Sequence, residues 1–165
     1  MARSFNAVLS SQPATYAARL YAALHHVCTK SRRTLPGWAR DIVLGCCVHD
    51  HGCRYRLEVA VVMPDHVHLI LTPLTDNSRQ MIIPLVEIMK AIKGASAHAI
   101  NHRAGSCGAI WQEESFDRIV RSSESLDAKI AYILENPVRK ALVQDWREYR
   151  WIWKSPAEST FSPPK

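Results

Sequence analysis

His66 and His68 stand two residues apart in Ala60-Val61-Val62-Met63-Pro64-Asp65-His66-Val67-His68-Leu69-Ile70-Leu71-Thr72-Pro73. This stretch reads as two strands joined at a tight Pro-Asp turn. Side chains alternate across a strand, so His66, His68 and Ile70 share one face while Val67, Leu69 and Leu71 share the other. Two imidazoles projecting from adjacent pleats can converge on one divalent ion; a strand with two polar residues on its wetter face is the plainer alternative. A second stretch, Tyr132-Ile133-Leu134-Glu135-Asn136-Pro137-Val138-Arg139, carries a phenol and an amide four residues apart. A tyrosine hydroxyl, with an ordinary pKa of about 10, is a poor nucleophile at neutral pH. To attack a phosphodiester it needs a nearby cation that stabilises charge and orients the phosphate. His66 and His68 supply two neutral nitrogen ligands, and the Asn136 amide oxygen can supply a third. Mixed N/O ligation with open positions admits Mg²⁺ or Mn²⁺, although imidazole by itself favours softer ions. Asp65, beside the histidines, reads as a turn residue.

The elements that must position these groups follow from periodicity. Residues 55–63 alternate as a strand, with Leu57, Val59, Val61 and Met63 on one side, and pair with residues 66–72 as an antiparallel hairpin. At about 100° per residue, Leu126, Ile130, Ile133 and Leu134 form the apolar stripe of a helix that Ser122 or Ser123 can cap and that runs to about Asn136. Tyr132 and Asn136 lie off that stripe, one above the other. A core tyrosine would sit on the stripe, so Tyr132 is placed to face a site; a half-exposed surface tyrosine is the alternative. Pro137 disfavours helix geometry at Asn136 and puts its amide at a helix end.

Elsewhere, Pro36 opens a helix over Gly37–His49, with Trp38, Ile42, Val43 and Cys46 or Cys47 at helical spacing. A first strand at 24–31 is only weakly indicated, because His25, His26 and Lys30 interrupt it. Residues 75–78 read as loop. A helix with Pro84 near its first turn buries Leu85, Ile88, Met89 and Ile92, continues past Gly94 and closes at Gly105. Short strands are expected at 109–112 and 116–121. The segment after Arg139 is expected to hold one short helix and a Trp-rich closing stretch. Residues 1–20, with at most a short helix at 15–24, and the tail 159–165 are expected to be poorly ordered. The order β-α-β-β-α-β-β-α predicts one α+β domain, an antiparallel sheet packed by helices.

The 165 residues, 47% hydrophobic and 22% charged, are those of an ordinary globular domain. No apolar run approaches a bilayer span and no signal peptide is evident, so the expected location is cytoplasmic, away from membranes. A net charge of +6 and a pI near 9.2 suggest a polyanionic partner, nucleic acid first. The cations cluster, and Trp111, Trp146, Trp151 and Trp153 are interleaved with the later clusters, where they can stack unpaired bases or, as is more usual, plug a core. Five cysteines without an export signal predict free thiols. Cys46-Cys47-Val48-His49-Asp50-His51-Gly52-Cys53 matches no common zinc spacing.

Taken in order, Val-Val-Met-Pro-Asp-His66-Val-His68-Leu-Ile-Leu, Lys93-Gly94, Ile110-Trp111-Gln112, Phe116-Asp117-Arg118-Ile119-Val120-Arg121 and Tyr132-Ile-Leu-Glu-Asn136-Pro-Val-Arg139 resemble the REP-associated tyrosine transposases. These belong to the single-strand DNA transposases that have a His-hydrophobic-His motif and one catalytic tyrosine. The resemblance runs from about Arg33 to Trp153. It implies a ferredoxin-like sheet and Mg²⁺ or Mn²⁺ held by His66, His68 and Asn136. It also implies Tyr132 as the nucleophile that forms a 5′-phosphotyrosine link and frees a 3′ hydroxyl. The substrate implied is single-stranded DNA folded into an imperfect hairpin, with Lys93, Arg118, Arg121 and Arg139 chosen for phosphate contacts. Monomer and homodimer both remain open. Two departures stand out: the weak first strand, and Lys140-Ala141 where many relatives have Ala-Gly.

Three rival readings come from other classes. A His-triad hydrolase needs a third histidine where Ile70 stands. An RNA-binding domain of similar topology needs aromatics on its central strands, and residues 66–71 have none. A catalytically silent DNA-binding descendant would keep fold and charge without turnover.

Overall fold

Pro64 and Asp65 make a two-residue turn, closed where the Met63 N–H donates to the His66 carbonyl at 2.8 Å. The structure, a computed structural model, describes residues 22–76, 78, 80–120 and 126–156, and for 114–120 the backbone only. The expectations for 1–20, for the cap at Ser122 or Ser123, and for the tail fall outside these residues; the short helix expected at 15–24 is not found at its described end, where 22–24 belong to a strand. The chain runs β1 (Ala22–Thr29), α1 (Gly37–His49), β2 (Tyr55–Val62), β3 (His66–Pro73), a ribbon of β4 (Thr75–Asp76) with β5 (Met81–Ile82), and α2 (Leu85–Ala104). It continues through β6 (Trp111–Val120), α3 (Leu126–Leu134), α4 (Asn136–Arg139) and β7 (Ile152–Lys154).

The main sheet has the order β6-β1-β3-β2-β7, with every neighbouring pair antiparallel. Two β-α-β crossovers, β1-α1-β2 and β3-α2-β6, interleave in this order, which is the ferredoxin-like split arrangement. Helices α1 and α2 cover one face. There Val27, Ala60, Val62, Val67, Leu69 and Leu71 pack with Ala39, Val43, Cys47, Ile88, Met89 and Ile92. Each Val, Leu, Ile or Met side chain fully buried in this way contributes about 1.5–3 kcal/mol. Helix α3 lies on the opposite face, where Ile133, Leu134 and Tyr149 pack on Val59, Val61, Met63 and Ile70. The alternation of β3 therefore holds, and His66 and His68 share the α3 face with Ile70.

Several expectations shift. The register of β2 against β3 slips between Leu57 and Val59, so Leu57 joins the α1/α2 core while Val59, Val61 and Met63 face α3. β1 forms despite His25 and His26, because it is paired on both sides, to β3 and to β6, and pairing outweighs residue preference in a central strand. The two expected short strands are one ten-residue strand, β6, irregular where its register on β1 shifts between Val27 and Thr29. The expected loop at 75–78 carries β4 of the ribbon. The Trp-rich closing stretch supplies a fifth strand, β7, on the edge of β2. The five cysteines are unpaired, and among the described residues no helix is long and apolar enough to cross a membrane.

Candidate functional site

His66 and His68 meet a third imidazole that sequence patterning did not single out. His26 of β1 lies opposite His68 in the strand register. The three ring centroids are 4.8 Å (His26–His66), 4.6 Å (His26–His68) and 4.7 Å (His66–His68) apart. One ligand atom from each ring falls within 4.8 Å of the other two, the one such group among the described residues. The turn is pinned beside them, because the Asp65 carbonyl accepts from the Thr29 N–H at 2.9 Å and from Thr29 Oγ1 at 3.0 Å. The signal for His26 was present in the sequence, as a histidine in a candidate strand, but only strand pairing shows which residue it faces.

The Asp65 side chain does more than make a turn. Its Oδ1 lies 2.6 Å from His66 Nδ1, and its Oδ2 accepts from Arg32 Nη1 at 3.2 Å. Burial works against the Asp65 charge, but the bond to His66, that ring's charge and Arg32 outweigh it and hold the carboxyl below its usual range. A carboxylate on one imidazole nitrogen fixes the ring and leaves the other nitrogen to bind an ion. Burial, then the neighbouring His66 and His26 rings and Arg139, push His68 down to about 3. Burial, then His66 and Arg32, lower His26 against the opposing pull of Asp65. His26 and His68 are therefore neutral lone-pair donors at pH 7, as metal ligation requires. The donor set fits a divalent ion.

An open pocket of about 490 Å³ contains this cluster, and Asn136, Arg32 and Lys140 also line it. The helix carrying Asn136 changes at Glu135, where α3 ends and α4 begins. Pro137 has no N–H to give the Ile133 carbonyl one turn back. The Asn136 side chain replaces that donor, its Nδ2 donating to Ile133 O at 3.1 Å. Its Oδ1 then turns to Arg139 and accepts from Nη2 at 3.0 Å. Asn136 itself stays within α4, so Pro137 removes a donor without ending the helical path. Tyr132 lies off the buried stripe, 59% exposed, and is not among the pocket residues. The Arg139 guanidinium sits 3.8 Å from the centre of its ring and donates to its carbonyl at 2.5 Å.

Of the other cations singled out, Lys93 reaches β6, donating to the Gln112 carbonyl at 2.6 Å and the Glu113 carbonyl at 3.1 Å. Arg118 belongs to β6, with its side chain outside the described atoms, and Arg121 lies outside the described residues. Arg32 and Lys140, which the sequence reading did not select for this site, stand at the pocket itself.

No family profile and no curated protein sequence matches the chain. Among solved structures, a REP-associated tyrosine transposase bound to a REP hairpin superposes with a TM-score of 0.60 at 20% identity, over 80% of this chain and 75% of that one. The fold is the same. A putative transposase from Deinococcus radiodurans R1 matches at 24% identity and a TM-score of 0.45, over 82% of this chain and 97% of that one. The chain thus resembles a tyrosine transposase in fold and, on the α3 face of its sheet, gathers a histidine cluster able to hold a metal.

Proposed function

We propose that this protein is a metal-dependent single-strand DNA endonuclease and strand transferase that acts on hairpin DNA through a 5′-phosphotyrosine link. The observation that carries this reading is the histidine cluster opening into a pocket shared with Asn136, one helical turn from an exposed tyrosine. The hairpin substrate is taken from the similar transposase, which is bound to a REP hairpin. His66 and His68 hold a divalent ion, Mg²⁺ or Mn²⁺, with the Asn136 amide beside them. When bound, the ion stabilises charge on the scissile phosphate. Tyr132 Oη attacks phosphorus, giving its proton to solvent; the new P–O bond replaces the bond to the 3′ oxygen, which leaves as a hydroxyl. A 3′ hydroxyl later reverses the exchange, and no ATP is needed because one ester replaces another. Arg139, stacked on the Tyr132 ring, orients the phenol and a phosphate. Lys93, Arg118, Arg121, Arg32 and Lys140 are the further cations proposed to hold the DNA backbone.

The test is denaturing electrophoresis of a labelled hairpin oligonucleotide incubated with protein and Mn²⁺. Wild type should give a slow covalent adduct that peptide mapping places at Tyr132, and Tyr132→Phe should bind the hairpin but give none. An adduct persisting in Tyr132→Phe would refute the mechanism. Hairpin binding by wild type with no adduct would instead identify a silent DNA-binding protein.

A further inference from the structure

We propose that His26 completes an all-imidazole metal site with His66 and His68, held entirely by β1 and β3, so that the ion is retained without the two helices that carry Tyr132 and Asn136. The inference rests on the metal-dependent reading above, and it changes what holds the ion and which ions are preferred.

The geometry favours it at each position. His26 and His68 are register partners on adjacent strands, and with His66 their rings form a nearly equilateral triangle. Where three donor atoms lie within 4.8 Å of one another, a point inside the triangle is within about 2.8 Å of every corner. Movements of under about 1 Å then reach the bond length of about 2.0–2.1 Å typical for imidazole on zinc-like ions. Both strands are paired on both sides, so the ring positions are set by the sheet. Two of the three rings also have a neighbour that can fix their orientation: Asp65 at His66 Nδ1, and the Cys28 sulfur 3.4 Å from His26 Nε2. Such partners commonly determine how ligating histidines are presented.

Asn136 differs in each respect. It belongs to a separate four-residue helix, and both ends of its amide already have partners, the Ile133 carbonyl and Arg139. Three nitrogen donors also alter selectivity. Mg²⁺ keeps oxygen ligands and water, whereas imidazole suits Mn²⁺, Co²⁺ and Zn²⁺ in rising order. Three ligands converging from the sheet leave the pocket side open, as in a catalytic centre rather than a closed structural one.

Metal-free protein is titrated with Co²⁺ and followed by its visible absorption, for wild type, His26→Ala, His26→Asn and Asn136→Ala, with circular dichroism confirming that each is folded. Both His26 variants should bind Co²⁺ at least about tenfold more weakly, and Asn136→Ala should stay within about threefold of wild type. X-ray absorption on Co²⁺-loaded wild type needs no variant and should show three imidazole ligands. The proposal is overturned by two imidazoles, by His26 variants within about threefold of wild type, or by a tenfold loss in Asn136→Ala. Adduct formation on hairpin DNA is scored separately: three imidazoles without any adduct uphold the site and refute the strand-transfer reading.

Discussion

Among the described tyrosines, only Tyr132 presents its side chain to solvent. The other two use their hydroxyls inside the fold, Tyr55 donating to the Cys47 carbonyl at 2.8 Å and Tyr149 to the Val62 carbonyl at 3.0 Å. Tyr149 also accepts from Arg40 at 3.2 Å. The same one-oxygen deletion should therefore separate a structural phenol from a chemical one. Tyr149→Phe leaves a buried carbonyl unpaired and should cost about 1–3 kcal/mol, lowering Tm by about 2–4 °C per kcal/mol in a domain this size. Tyr132→Phe should melt within about 0.5 kcal/mol of wild type while losing the adduct. Comparable melting of both variants would contradict the burial argument. Asp65 gives a second residue-scale expectation. Asp65→Asn keeps the turn and the size of the side chain but removes the negative charge at His66 Nδ1. Metal affinity measured calorimetrically should fall about 10- to 100-fold with little change in melting. Unchanged affinity would return Asp65 to the role of turn residue alone.

At the scale of elements, local patterns foretold what local physics determines. α1 lies at the expected residues because Pro36 and a helical stripe bound it. The hairpin turn follows from Pro64-Asp65, and α2 continues past Gly94 to a left-handed Gly105. What could not be read needed partners distant in sequence. β1 depends on β3 and β6, β7 depends on the open edge of β2, and the bulge at Leu57 and Val59 appears only once β2 is paired. His26 was hidden for the same reason, since its neighbour in the site is forty residues away along the chain, whereas His66 and His68 are two apart. Alanine at position 141, where the resemblance leads one to expect glycine, was visible in the sequence, but its consequence was not. Ala141 has φ of 53°, in the left-handed region that favours glycine. An alanine held there costs about 1–2 kcal/mol. Ala141→Gly should recover about 1 kcal/mol, net of the added chain entropy of glycine, and raise Tm by about 2–4 °C. A lower Tm in that variant would mean that the turn is set by Lys140 or Leu142 rather than by backbone strain.

For the whole molecule, the two faces of the sheet divide the work. α1 and α2 seal one face into the larger core, and the other carries the histidine cluster beneath α3 and α4. Three cations stand on that side: Arg32 and Lys140 at the pocket, and Arg139 over Tyr132. With a net charge of +6, they predict that the proposed hairpin DNA is held largely through phosphates and that affinity falls steeply with salt. Each phosphate neutralised on a single strand contributes a slope of about −0.7 in log affinity against log salt. Lys140 is exposed and follows a short helix, so Lys140→Ala should leave the fold intact, weaken hairpin binding and reduce the slope by about 0.7. Fluorescence anisotropy with a labelled hairpin from about 50 to 200 mM salt, with a duplex of equal length as competitor, measures both quantities. The duplex should compete poorly, because the attack proposed for Tyr132 needs an unpaired strand that can enter the pocket. Affinity that barely changes with salt, or an unaltered slope in Lys140→Ala, would move the DNA path away from the histidine pocket, and with it the case that this pocket meets the scissile phosphate.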